Sequence, residues 1–214
     1  MAVLIPDKKL FYAPIPKAAC TSIKTMFFEA EHGRSFEDHP SGKKEWWQIH
    51  NHYVTGLRDT FPEAEIRNFR RITVVRDPIK RFLSAYSNRV LYHKRANDDA
   101  VRSIRRLRKV TPDPDLSEFI DRLKTYQRIE DIHWHTRPMV DFLGPDPSYF
   151  DAVYDVSQLG AFVQDVSNTL GRPVELGRLQ TGGPKIDADV LTAKQRETLE
   201  TYYKADYRAF GAYL

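Results

Sequence analysis

Ile15-Pro16-Lys17-Ala18-Ala19-Cys20-Thr21-Ser22-Ile23-Lys24 is the stretch on which the fold turns. Before it, Leu10, Phe11, Tyr12, Ala13 and Ile15 form a short apolar run bounded by prolines. Within and after it, Ile23, Met26, Phe27 and Ala30 recur at i, i+3, i+4 and i+7. The first pattern predicts a buried strand and the second one face of a helix. The intervening residues therefore form a loop carrying Lys17, with the hydroxyls of Thr21 and Ser22 at the helix start. Unpaired N–H groups and the positive end of the helix dipole favour a phosphate there, and Lys17 adds a point charge. The plainer alternative makes Thr21 a helix cap and Lys17 a solvated loop lysine.

The nucleotide-triphosphate P-loop, G-x-x-x-x-G-K-[ST], needs glycines for close backbone approach and carries its lysine at the loop's end. No glycine lies between Ile15 and Lys24, and the lysine opens the loop. An ATP-dependent, P-loop-like kinase is thereby the weaker alternative.

A second strand-to-helix junction follows some fifty residues later. Phe69 to Val75, with Ile72, Val74 and Val75, reads as a buried strand. Pro78 stands where a helix begins without needing its N–H. Ile79, Phe82, Leu83, Tyr86 and Val90 give that helix a core face. Arg76 leaves the strand end, and Ser84 lies about two turns into the helix. Separately, Arg76 with Asp77 is an ordinary surface ion pair and Ser84 an ordinary helical serine; their joint occurrence after the first loop, in this order, is not ordinary.

Together these segments resemble the two phosphate grips of sulfotransferases that use 3′-phosphoadenosine 5′-phosphosulfate (PAPS). Lys17 to Ser22 is similar to the 5′-phosphosulfate loop, P-K-x-x-x-[ST]-[ST]. Arg76 to Tyr86 is similar to the 3′-phosphate motif, R-D-P-x-x-R-x-x-S-x-Y. The resemblance implies that Lys17, Ala18, Ala19, Cys20, Thr21 and Ser22 hold the 5′-phosphosulfate, that Arg76 and Ser84 hold the 3′-phosphate, and that no metal is needed. Hydrogen bonds to charged groups contribute about 1.5–3 kcal/mol each, so two contacts to the 3′-phosphate separate PAPS from ATP by about 3–6 kcal/mol, enough to decide donor choice.

Between the grips lies Trp47-Gln48-Ile49-His50-Asn51-His52-Tyr53. Taken as an extended segment, H-x-H places both imidazoles on one face, and a histidine titrating near neutrality can take a proton from a hydroxyl. Glycosaminoglycan sulfotransferases of the heparan sulfate 2-O group carry a similar H-x-H, which implies His52 as the catalytic base and His50 as a supporting or acceptor-binding residue. His133 and His135 form a second H-x-H. Zinc held by the four imidazoles and simple hydrogen bonding within the fold are the two rival readings.

The rest of the chain resembles carbohydrate sulfotransferases of the chondroitin type, in sulfotransferase family 2. Asp131 to Pro138 is similar to their H-W-x-P segment on the acceptor side, with one extra residue before the proline. Phe150 to Val156 reads as another strand, followed by a helix from about Ser157 to Leu170 that Gly171 stops. Gly177 to Lys185 occupies the place of a mobile loop over the donor, in which Thr181 and Lys185 contact PAPS; a plain surface loop is the alternative. Thr192-Ala193-Lys194-Gln195 is a capping box, and Leu199, Tyr202, Tyr203, Tyr207 and Phe210 line the closing helix.

The 214 residues, 41% of them apolar, are read as one domain, 1–214, of α/β class: P-loop-like, with a central, mostly parallel sheet flanked by helices. No basic region with a long apolar segment opens the chain and no run approaches transmembrane length. The expectation is a soluble, cytoplasmic, bacterial-type enzyme, with peripheral membrane contact permitted. Cys20 is the single cysteine, a small buried filler rather than a reactive thiol. Net charge is +4, but Lys94, Arg95, Arg102, Arg105, Arg106, Arg108 and Lys109 cluster against only Asp98 and Asp99. That segment either holds an anionic glycan or lipid headgroup or is a solvated face. Nucleic acid is disfavoured, because the segment lacks a recognised motif and interleaved aromatics. The expected function is sulfuryl transfer from PAPS to a hydroxyl of a glycan or glycolipid; a non-catalytic module binding anionic glycans is the other alternative.

Overall fold

The structure, a computed structural model, describes residues 2–40, 46–104, 110–177, 179 and 182–214. In chain order these form β1 (Val3–Ile5), β2 (Leu10–Ala13), α1 (Cys20–His32), β3 (His39–Pro40), β4 (Trp46–Trp47), α2 (Ile49–His52), β5 (Arg70–Val75) and α3 (Pro78–Ala85). There follow α4 (Asp98–Ile104), α5 (Leu116–Asp121), α6 (Leu123–Tyr126), α7 (Glu130–Thr136), α8 (Val140–Leu143), β6 (Ala152–Asp155), α9 (Leu159–Leu170), α10 (Ala193–Tyr202) and α11 (Lys204–Phe210). The chain divides into two compact units interleaved in sequence. The first comprises Met1–Arg76, Met139–Thr181 and Ala212–Leu214; the second comprises Asp77–Pro138 and Gly182–Gly211.

The first unit holds the sheet, in the order β1-β2-β5-β6. β2, β5 and β6 run parallel and β1 is antiparallel at the edge, so the expected mostly parallel α/β architecture is present. Every residue of β2 is buried, which is why it reads as a continuous apolar run rather than an alternating one. Leu10, Tyr12, Ile72 and Val74 share a core with Ile23 and Phe27 of α1 and Phe162 and Val166 of α9. Phe11 points the other way and meets the edge of Phe61 at 5.0 Å. Both faces of the sheet are therefore covered. α9 ends where Gly171, at φ +73, returns its N–H to the carbonyls of Ser167 and Asn168, the stop that the glycine predicts.

The second unit is helical. Ile79, Phe82 and Leu83 of α3 pack with Phe119, Tyr126, Ile132, Leu199 and Tyr203. Asp77 caps α3 by accepting from the Lys80 N–H at 2.8 Å, with Pro78 in the first turn. Beyond Ala85 the helix widens into a π-helical segment, Tyr86–Tyr92, which a simple 3.6-residue period does not announce. Thr192 and Gln195 form the expected reciprocal capping box at the start of α10. The closing helix breaks at Tyr203, whose hydroxyl donates to the carbonyl of Thr136 at 2.5 Å.

Candidate active site

The loop between β2 and α1 achieves without glycine a turn that glycines usually make. Lys17 has φ +68 and Ala19 φ +58, in the left-handed region that a Cβ disfavours by roughly 1–2 kcal/mol per residue. Ala18 between them is fully buried. α1 then begins at Cys20 with Ala19 as its N-cap, a residue whose methyl group makes no side-chain cap bond. Thr21 is therefore not the cap. Arg76, just beyond β5, donates from Nη1 to the carbonyl of Lys17 at 3.0 Å. Ser22 is turned inward and buried, its hydroxyl accepting from the Leu179 N–H at 3.0 Å.

The expected extended H-x-H is instead the short helix α2. Gln48 and Asn51 cap it reciprocally, a local pairing that outweighs any strand tendency of four residues. At about 100° per residue, His50 and His52 diverge rather than share a face. His50 faces the first turn of α1, with Nε2 2.9 Å from Thr21 Oγ1. The His52 ring lies against Phe28 at 5.1 Å and His32 at 5.6 Å between centroids. Thr21 and Phe28 are seven residues apart, about 10 Å along a helix, so His52 sits toward the opposite end of α1 from the loop. Its pKa is lowered by partial burial and by the neighbouring His32, with Glu31 acting in the opposite direction.

Lys24, one turn into α1, is part of this group although the sequence patterns do not single it out. It is fully buried, and its ammonium lies 3.1 Å from His50 Nδ1 and 2.8 Å from Thr55 Oγ1. Burial lowers its pKa to about 8, against a smaller opposing influence of Cys20. Its partners are 26 and 31 residues distant in sequence, which is why periodicity alone leaves it a helical lysine.

Thr21 and His50 border a cleft of about 480 Å³ that is also lined by Glu29, Phe36, Asp38 and Gln48. Met26, Phe36, Ile49 and Leu179 give it apolar walls, among which these hydrogen-bonding groups are set, the mixture usual in small-molecule sites.

Ser84 belongs to the second unit, half-buried on α3. Nearby on the chain, Arg81 is fully buried and donates to the carbonyls of His135, at 3.3 Å, and Arg137. Thr181 lies outside the described residues. Lys185 is exposed and pairs with Asp187 at 3.1 Å. The preceding glycines are anchored: Asn88 Nδ2 donates to the Gly182 carbonyl at 3.3 Å and Ser87 Oγ to that of Pro184 at 2.5 Å. A Cβ on Gly183, at φ +91, would come within 2.6 Å of the Ser87 carbonyl oxygen.

The second H-x-H is likewise helical, on α7. His135 Nδ1 lies 2.7 Å from the Asp131 carbonyl, and the Asp131 carboxylate takes Arg89 through two bonds of 2.9 and 2.6 Å. Burial would raise the Asp131 pKa, but hydrogen bonds from His135 and Arg89 and the charge of Arg89 outweigh it and hold the carboxyl well below the usual range. The basic stretch is more neutralised than its sequence suggests. Lys94 pairs with Asp113, Arg95 with Asp131 and Arg102 with Asp99, while 105–109 lie outside the described residues.

A mostly parallel sheet whose second strand leads through a left-handed turn into a helix defines the class: an α/β protein. The family follows from comparison of sequences. The model of the family described as "Sulfotransferase family" matches residues 1–213, and the chain belongs to that family. No curated protein and no solved structure matches it significantly. Membership makes sulfuryl transfer to an acceptor its general chemistry. Among the described residues no helix is long and apolar enough to cross a membrane.

Proposed function

We propose that this protein transfers the sulfuryl group of PAPS to a hydroxyl of a carbohydrate or glycolipid acceptor, with His50 as the proton acceptor. The observation that carries the proposal is the 2.9 Å approach of His50 Nε2 to Thr21 in the first turn of α1, beside the cleft that both residues border. The residues present fit the donor. Lys17, the N–H groups of Ala18 to Ser22 and the Thr21 hydroxyl would hold the 5′-phosphosulfate. Arg76, already holding the loop through Lys17, and Ser84 are assigned to the 3′-phosphate by their place in the sequence motif. PAPS supplies the sulfuryl group.

His50 accepts the acceptor hydroxyl's proton at Nε2 as that oxygen bonds to sulfur and the bond between sulfur and the phosphate oxygen breaks. Lys17 offsets the charge left on the departing phosphate. His50 rather than His52 is assigned this role because its ring meets Thr21 in the first turn of α1, whereas the His52 ring packs against Phe28 and His32. Glu29, Asp38 and Gln48 offer hydrogen-bond acceptors and an amide to a sugar, and Phe36 offers a face for its C–H groups.

Calorimetric titration with 3′-phosphoadenosine 5′-phosphate (PAP) beside ADP, on wild type and Arg76→Ala, tests the donor assignment. Tight PAP binding, weak ADP binding and loss of that preference in the variant are expected. Equal affinity for both ligands in the wild type would return the kinase alternative, which predicts that EDTA abolishes turnover.

A further inference from the structure

Lys24 is a fully buried cation, and among the described residues no carboxylate pairs with it. The titratable groups that face it are His50 from α2, at 3.1 Å, and Cys20 one turn earlier on its own helix; Thr55 supplies a hydroxyl at 2.8 Å. Glu29 and Asp38 line the cleft that His50 borders. Burying an ammonium is costly unless it is well partnered, so a lysine here calls for a reason that helix packing alone does not supply.

The reason lies in the histidine. A neutral imidazole has one N–H donor and one acceptor nitrogen. While Lys24 is charged it can only donate, so Nδ1 of His50 must accept. The ring proton then sits on Nε2, directed at Thr21, and Nε2 cannot take another without placing two cations side by side. Once Lys24 is neutral its nitrogen accepts from Nδ1–H, and the Nε2 lone pair faces Thr21 and the cleft. The exchange releases one proton: that of Nε2 leaves to solvent, and the lysine's proton passes to Nδ1. The two groups therefore titrate as a pair.

We propose that Lys24 is the positioning residue that decides which nitrogen of His50 carries the proton, and that His50 acts as a base only when Lys24 is neutral. This rests on the assignment of His50 as proton acceptor. Burial brings Lys24 to about 8, so the exchange lies close to neutrality. During transfer, the proton accepted at Nε2 is matched by movement of the Nδ1 proton onto Lys24, and positive charge comes to rest on the lysine.

Nitrogen-detected NMR of the histidine rings of the full chain between about pH 6.5 and 9.5 reads the tautomer with no substrate present. His50 is expected to change from the Nε2–H to the Nδ1–H form within this range, as Lys24 loses its charge. Lys24→Met should abolish the change, and Lys24→Arg, which stays charged, should hold the Nε2–H form throughout. In steady state, wild-type kcat should rise through the same transition, and Lys24→Arg should lose about tenfold or more of kcat with PAP affinity retained. A single His50 tautomer across this range in the wild type, or an unaltered transition in Lys24→Met, overturns the proposal. If the wild-type transition occurs without any turnover of PAPS, the role of Lys24 as tautomer control stands and the donor assignment falls. If PAPS is turned over while His50 keeps one tautomer, the reverse holds.

Discussion

Arg76 Nη1 donates to the carbonyl of Lys17 at 3.0 Å, joining the residue that leaves β5 to the strained turn that precedes α1. β2 and β5 are parallel neighbours, so their carboxyl ends emerge side by side and the bond spans adjacent strand exits. It braces a lysine with φ +68. Arg76 thus serves the turn before α1 structurally, in addition to the role proposed for it at the 3′-phosphate.

Arg76→Lys keeps the charge but loses the planar fork that can serve two partners at once. Hydrogen bonds to charged groups contribute about 1.5–3 kcal/mol, so PAP affinity should fall about ten- to a hundredfold and the preference over ADP should narrow. Calorimetry with both ligands measures this, and PAP affinity within about twofold of wild type would count against the dual role.

The two histidines of the H-x-H should separate cleanly. His50→Ala should lower kcat about 10²–10⁴-fold, the usual contribution of a positioned base, with PAP binding retained. His52→Ala, removing a ring that packs on Phe28 and His32, should act mainly on thermal stability. Single-turnover rates with labelled PAPS decide between them; the opposite pattern would restore His52 as the base.

Gly183→Ala should destabilise the second unit. The new Cβ would meet the Ser87 carbonyl oxygen at 2.6 Å, at a φ of +91 that side chains avoid. Strain of this kind costs of order 1–3 kcal/mol, or a fall in Tm of roughly 2–12 °C for a chain of this size. A thermal melt unchanged from wild type would show that the Ser87 to Pro184 anchor yields freely.

Asp131 should carry part of the acid sensitivity of the fold. Its folded pKa is depressed by His135 and Arg89 despite burial, so the unfolded chain binds its proton more readily. The stabilisation is fully present above the ordinary carboxylate pKa of about 3.9 and is lost as pH falls below it toward the folded value. Asp131→Asn should lower Tm at pH 7, and the gap from wild type should shrink as pH falls from about 4 to about 2. A constant gap over that interval would place the acid sensitivity elsewhere.

Sequence alone determined the two strand-to-helix junctions, the mostly parallel α/β class, the Gly171 stop and the Thr192 capping box. Each is local: hydrophobic period, proline and glycine dihedral preferences and short-range caps act within a few residues. The turn carrying Lys17 was legible for the same reason, since chain order alone places it between a strand and a helix start. Tertiary structure decided what happens around them. Four residues are too few for a period of 2 to be told from one of 3.6, so the H-x-H became a helix through its Gln48 and Asn51 caps, and the histidines parted. The basic stretch acquired Asp113 and Asp131 as partners from elsewhere in the chain. Lys24 became a buried partner of His50 only because α2 and Thr55 fold back on α1. Contacts between distant residues depend on how surfaces pack and exclude water, and that information is spread over the whole chain rather than written in any one stretch.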